Sequence, residues 1–116
     1  MHNFRQLQIW QEAMSIVRDT YIALKSLPDA ERFGLISQIS RCSVSVPSNI
    51  AEGSSRSSDK EFSHFLSIAL GSLFELETQL LICVAVNHLT ALQIQQLLLD
   101  ITQLQKKISA FKKTLS

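Results

Sequence analysis

Apolar residues recur along this chain at alternating spacings of four and three, the period of an α-helix packed on one face, and nowhere in the strict alternation of a strand. Four segments carry the pattern. In the first, Trp10, Met14, Val17, Tyr21 and Leu24 form the stripe; in the second, Leu35, Ile39, Cys42, Val46 and Ile50. The third is the most regular, with Phe62, Leu66, Ala69, Leu73, Leu76, Leu80 and Cys83, and the fourth has Ile94, Leu97, Ile101, Leu104, Ile108, Phe111 and Leu115. A sustained 4-3 stripe is the seam of a left-handed helical bundle.

Breaks between the segments are few, because the chain has only three Gly and two Pro. Pro28 disfavours helix at Leu27, and Asp29 is a good N-cap. The polar loop Gly53 to Ser58 ends in Ser58-Asp59-Lys60-Glu61, a capping-box pattern that Thr90 and Gln93 repeat before the fourth segment. Asn87 suits the left-handed position that closes a helix. The predicted helices cover about residues 5–27, 30–53, 59–86 and 91–115, each roughly 30 to 40 Å long at 1.5 Å per residue. Matched lengths and short connections predict one all-α domain over residues 1–116, an antiparallel up-down-up-down four-helix bundle. Pro47 lies inside the second helix, where it removes a backbone hydrogen bond, so a kink near Val44 to Pro47 or a break into two shorter helices is expected.

The third segment has more apolar surface than one seam needs. Phe65, Leu70, Phe74, Leu81 and Val84 form a second stripe, and after Glu61 only Glu75 and Glu77 interrupt it with charge. A helix that is apolar on most sides is buried on most sides. Either a kinked second helix covers it, or Phe65, Leu70, Phe74 and Leu81 face another subunit; apolar patches of that kind mark interfaces.

Composition agrees with one core and some surplus: 46% hydrophobic residues, 18% charged, mean hydropathy +0.14. The net charge of +1 gives no global basic field to attract nucleic acid. Cys42 and Cys83 fall on seams and read as reduced thiols. Met1 to Trp10 has no apolar signal region, and the longest apolar run, Leu80 to Val86, is too short to cross a bilayer. A cytoplasmic protein with no membrane partner is the expectation.

Candidate chemistry is sparse. Glu61 and His64 match E-x-x-H, but a di-iron bundle needs two such motifs and two further glutamates. His2, Cys42, His64, Cys83 and His88 lack the close ligand pairs of a zinc site. No phosphate loop or nucleophile elbow occurs. Glu75 and Glu77 point to different helix faces, and Arg41 on the neighbouring helix is the expected structural partner of Glu75. Lys106, Lys107, Lys112 and Lys113 follow Ile101 with no acid among them, a basic outer face that suits a helix C-terminus or a nucleic-acid backbone. No enzyme, cofactor, metal or small-molecule substrate is expected.

Four stretches carry a family resemblance: Phe4-Arg5-Gln6-Leu7-Gln8-Ile9-Trp10-Gln11, then Gly34-Leu35-Ile36-Ser37-Gln38-Ile39-Ser40-Arg41, the run Ser45-Val46-Pro47-Ser48-Asn49-Ile50-Ala51-Glu52-Gly53, and Glu61-Phe62 through Phe65 to Ser72 on to Glu75-Leu76-Glu77-Thr78-Gln79-Leu80. They resemble the four-helix bundle proteins encoded by intervening sequences in bacterial 23S ribosomal RNA genes, a family also labelled S23 ribosomal protein. The resemblance spans residue 4 to about 115. It implies a homopentamer of bundles with no assigned enzymatic activity. It also brings in a related basic pentamer, the accessory protein of diversity-generating retroelements, which binds nucleic acid and a reverse transcriptase. Together these readings predict a non-enzymatic, self-associating bundle that serves as an RNA- or ribonucleoprotein-associated scaffold. The alternative is a module that binds RNA or DNA directly through the basic face of the last helix.

Overall fold

The computed structural model describes residues 2–115. Four α-helices carry the fold: α1 (Gln8–Leu24), α2 (Leu35–Ser54), α3 (Asp59–Ala85) and α4 (Gln95–Lys113). Short 3-10 turns at Phe4–Gln6 and Asp29–Glu31 precede α1 and α2. No strand occurs among the described residues, and the all-α four-helix bundle is the architecture.

The caps follow the side-chain chemistry at each break. The Ser58 hydroxyl accepts from the Glu61 amide at 3.1 Å and starts α3. At the other end Asn87 takes φ 65°, and the amides of Asn87 and His88 donate back to the carbonyls of Val84 and Cys83. That is a Schellman closure, with Leu89 buried behind it. Thr90 and Gln93 exchange the reciprocal bonds of a capping box, at 2.7 and 3.2 Å, but they close a turn ahead of the last helix: α4 starts at Gln95, later than the expected residue 91, with no side-chain cap at Ile94. The second helix starts later than residue 30, because Asp29 caps nothing. Asp29 opens a 3-10 turn instead, and the Glu31 carboxylate receives the Leu35 amide of α2 at 3.4 Å.

Each helix touches two neighbours: α1 packs on α2 and α4, and α3 packs on α2 and α4. Contacts run in opposite order between α2 and α3 and between α3 and α4. Gln38 meets Gln79 and Ser45 meets Ser72 between α2 and α3; Glu77 meets Gln105 and Phe62 meets Phe111 between α3 and α4; Glu12 meets Lys107 between α1 and α4. The molecule measures 43 × 24 × 20 Å. All seven predicted seam residues of α3 are at most 1% exposed. Those of α2 and α4 also point inward, with Leu35, Phe111 and Leu115 half-buried at the ends.

The first helix is rotated from its predicted setting. Its core row is Ile9, Ala13, Ile16, Thr20 and Leu24, whereas Met14 and Tyr21 stand 45% and 47% exposed. The shift is about 100°, one residue of helix. Small Ala13 lets α1 sit close to its neighbours, and Thr20 hides its hydroxyl by donating to the Ile16 carbonyl at 2.7 Å, a back-bond that satisfies a buried polar group.

The α2 helix runs unbroken through buried Pro47, so the expected division into two helices does not occur. Side chains around the proline turn inward onto backbone and onto α3. Ser43 donates to the Ser40 carbonyl, the Asn49 amide to the Ser45 carbonyl and hydroxyl, and Ser45 shares a 2.8 Å bond with Ser72 of α3. Gly53 then lets α2 and α3 converge. A Cβ there would stand 2.6 Å from Phe65 Cβ and 2.9 Å from Phe62 Cδ1. At this end His2, Phe62 and Phe111 stack within 5.0 to 6.1 Å. At the opposite end His88 bonds Glu31 at 2.9 Å, tying the α3–α4 turn to the start of α2.

Three outcomes follow from this packing. Gly53→Ala lowers unfolding free energy by about 1–3 kcal/mol through overpacking, read as a shifted urea midpoint. Leu73→Asp puts a charge in the fully buried seam and abolishes cooperative melting. The bonds from His88 and from the Leu35 amide hold the Glu31 pKa below its ordinary 4.5. Because the folded value is the lower one, Glu31 stabilises the fold above pH 4.5 and loses that contribution as pH falls through its folded pKa. Urea midpoints measured downward from pH 6 fall less steeply for Glu31→Gln than for the parent chain.

Candidate functional site

Three places on the chain are candidates for function, and each has a definite setting. The first is the predicted Arg41–Glu75 pair. Both residues line an open groove of about 290 Å³ between α2 and α3, together with Gln38, Cys42, Ser45, Ser72 and Gln79. Among the described residues no ion pair joins Arg41 to Glu75. The Glu75 carboxylate instead faces the Cys42 thiol, which donates to the Ser72 carbonyl at 3.0 Å. Burial, with Glu75 beside it, pushes the Cys42 pKa to about 12. Burial raises Cys83 as well. A thiol so reluctant to ionise is a poor nucleophile and a poor metal ligand. Nor does any group of three His, Cys, Asp or Glu gather to hold a metal among the described residues.

The second place is the basic face of α4. Lys107 reaches across to α1 and binds Glu12 with both carboxylate oxygens at 2.9 Å. Lys112 reaches the other way and donates to the Ser67 hydroxyl of α3 at 2.5 Å. Lys106 and Lys113 remain exposed on the outer side. The four lysines therefore flank α4 on both sides; they do not line up on one strip.

The third is the surplus apolar surface of α3, and here the rows separate. Phe65 turns toward the end of α2, under the Arg56 guanidinium at 4.7 Å, and Leu70 packs against the core. Phe74 and Leu81 point outward, 53% and 48% exposed. They stand seven residues apart on the α4 side. Ile68 and Ile82, 40% and 42% exposed, flank Glu75 on the α2 side. Between these rows run Gly71, Thr78 and Ala85, all exposed, all small, and again seven apart. Nothing lies within 4 Å of where a Gly71 Cβ would be. The outer face of α3 therefore repeats every seven residues, as the inner one does.

Run length alone understates this helix. By length and composition α3 could cross a membrane: its most apolar stretch of 18 residues has a mean hydropathy of 1.6, and 28% of that stretch is buried within the chain. Its geometry is nevertheless that of a bundle helix. The buried seam packs on α2 and α4, and the exposed Glu75 lies midway along the helix, where a hydrocarbon phase would cost about 2 to 3 kcal/mol or more.

One more surface emerges only from the fold. A groove of about 310 Å³ between α1 and α2 is lined by Trp10, Met14, Val17, Val44, Pro47 and Ala51. Its signal was present, since Trp10, Met14, Val17 and Tyr21 are the stripe first assigned to the core. With Ile9 and Ile16 taking that place, the bulkier stripe lies outside. The buried thiols make a direct test of the packing. Neither Cys42 nor Cys83 reacts with a thiol reagent at pH 8 in the folded protein, and both react at once in denaturant; fast native labelling of either would refute the inward setting of its helix.

No curated protein matches this chain at a significant level. A match to a protein family does exist, and it covers most of the bundle. Residues 5–110 fit the family described as 23S rRNA-intervening sequence protein, from the 3-10 turn before α1 to the last turns of α4, and the chain belongs to that family.

Proposed function

We propose that this protein is a non-enzymatic helical scaffold that associates with itself and works alongside RNA or a ribonucleoprotein. The observation that carries self-association is the outer face of α3. Phe74, Leu81, Ile68 and Ile82 are 40 to 53% exposed around a row of small residues, on a helix only 28% buried over its most apolar stretch. Scattered apolar residues on a surface are ordinary; a contiguous helical face of them marks a contact.

Two further features support a scaffold over an enzyme. The thiols are held protonated, and the polar groove gathers no acid–base pair or metal-ligand set. The link to RNA rests on the family description, which ties these proteins to sequences within 23S rRNA. Direct nucleic-acid binding through Lys106, Lys107, Lys112 and Lys113 is the weaker reading. Two of those lysines already hold α1 and α3, which leaves less charge for a phosphate backbone.

Light scattering coupled to size exclusion checks the proposal. The parent chain elutes as a multiple of 13.0 kDa, and Phe74→Glu lowers that mass while leaving helicity unchanged. A monomer at micromolar concentration would sink the scaffold reading. Replacing all four lysines with Glu leaves the assembly intact. If the same change removed binding to structured RNA and flattened its salt dependence, direct contact with phosphates would become the leading function.

A further inference from the structure

We infer that the copies associate head to tail, with the Phe74–Leu81 row of α3 on one copy seated in the α1–α2 groove of the next. The inference rests on the self-association proposed above and says which surfaces meet.

The two surfaces match in length. Phe74 and Leu81 lie seven residues apart, about 10.5 Å along the helix. The groove is walled by Trp10 to Val17 on α1 and by Val44 to Ala51 on α2, each again seven residues and about 10.5 Å. Two knobs two turns apart thus face a slot two turns long. Rows of side chains entering grooves between neighbouring rows is the ordinary way helices pack.

The surroundings fit as well. A row seated between two helices forces one wall of the slot to ride over the row beside it. On α3 that adjacent row is Gly71, Thr78 and Ala85, the smallest on the helix. Packing inside the chain gives Gly71 no reason to be glycine, since a Cβ there meets nothing, and glycine within a helix is unfavourable. Close approach of an α2 wall supplies that reason. Beyond the small row stands Glu75, and on the far side of the α2 wall stands Arg41. Both line the same groove in one copy without forming an ion pair. In the head-to-tail contact, Glu75 of one copy meets Arg41 of the next.

The occupant is a second copy and no foreign helix, because this chain carries both halves of the fit. The α3 row and the α1–α2 groove lie on different sides of the molecule, separated by α2. Neither half complements itself, so the contact is heterologous and grows into a closed ring or a filament, never an isologous dimer.

Two half-exposed positions give the test. Leu81→Glu spoils the row and spares the groove; Met14→Glu spoils the groove and spares the row. Each variant alone runs as a 13.0 kDa monomer in light scattering, and mixing them one to one gives a species of twice that mass, since one intact row and one intact groove remain. Assembly of Met14→Glu like the parent chain overturns the inference, and so does a mixture that stays monomeric. Val44→Glu, on the opposite wall, repeats the groove arm if circular dichroism shows Met14→Glu unfolded. A monomeric parent chain would instead defeat self-association itself, a separate result.

Discussion

Seven side chains of α3, from Phe62 to Cys83, are at most 1% exposed, and every other helix of the bundle takes its place relative to that row. The α2 helix closes over it from one flank and α4 from the other, while α1 bridges the two. Dispersion and the release of water from the core that this seam runs through drive folding, at roughly 25 cal/mol for each Å² of apolar surface covered. Because the row is continuous over more than twenty residues, it also fixes rotation. Turning α3 by one residue in either direction would bring Glu77 or Glu75 toward the interior and bury a carboxylate among apolar side chains.

That dependence explains which parts of the structure were legible in the sequence. The α3 seam was, because its apolar positions are large, uninterrupted and strictly spaced. The caps at Ser58 and Thr90 were, because each rests on a hydroxyl three residues before the amide it serves, and the Asn87 closure was, because asparagine tolerates the positive φ found there. The rotation of α1 was not. Its true core row contains Ala13 and Thr20, a small residue and a polar one, and it competes with a row of Trp10, Met14, Val17 and Tyr21 that looks more hydrophobic. Burial was decided by fit against α2 and α4, which size and polarity along one helix do not encode. Of the kink or break expected at Pro47, the break does not occur, for a related reason: propensity measures the cost of a proline in an isolated helix, whereas here the serines, Asn49 and the contact with α3 hold the helix together around it.

The candidate sites divide along the same line. The outward setting of Phe74 and Leu81 was readable from helical phase alone. The fates of Phe65 and the lysines were not, because they depend on partners distant in sequence: Arg56 and Gly53 for Phe65, Glu12 for Lys107, Ser67 for Lys112. Long side chains at the flank of a helix reach whatever the neighbouring helix offers. Gln105 is of the same kind. It is buried between α3 and α4, and its amide donates to Glu77 at 2.8 Å, which accounts for one of the two acids on an otherwise apolar helix.

The other acid, Glu75, shares its helix face with Ile68 and Ile82, and here the fold constrains the proposed assembly. Both faces of α3 repeat every seven residues, so they keep a constant angle to one another along the helix. Once Leu66, Leu73 and Leu80 are locked inward, the row of Gly71, Thr78 and Ala85 is locked outward, with Phe74 and Leu81 on one side and Glu75 on the other. The outer residues add little to the stability of a single bundle, since half of each remains in water. Their spacing is nevertheless as regular as that of the core, and it is aimed by the core. A bundle that folds on the inner seam therefore presents its outer rows already aligned, with no rearrangement left for association to bear beyond the ordering of side chains.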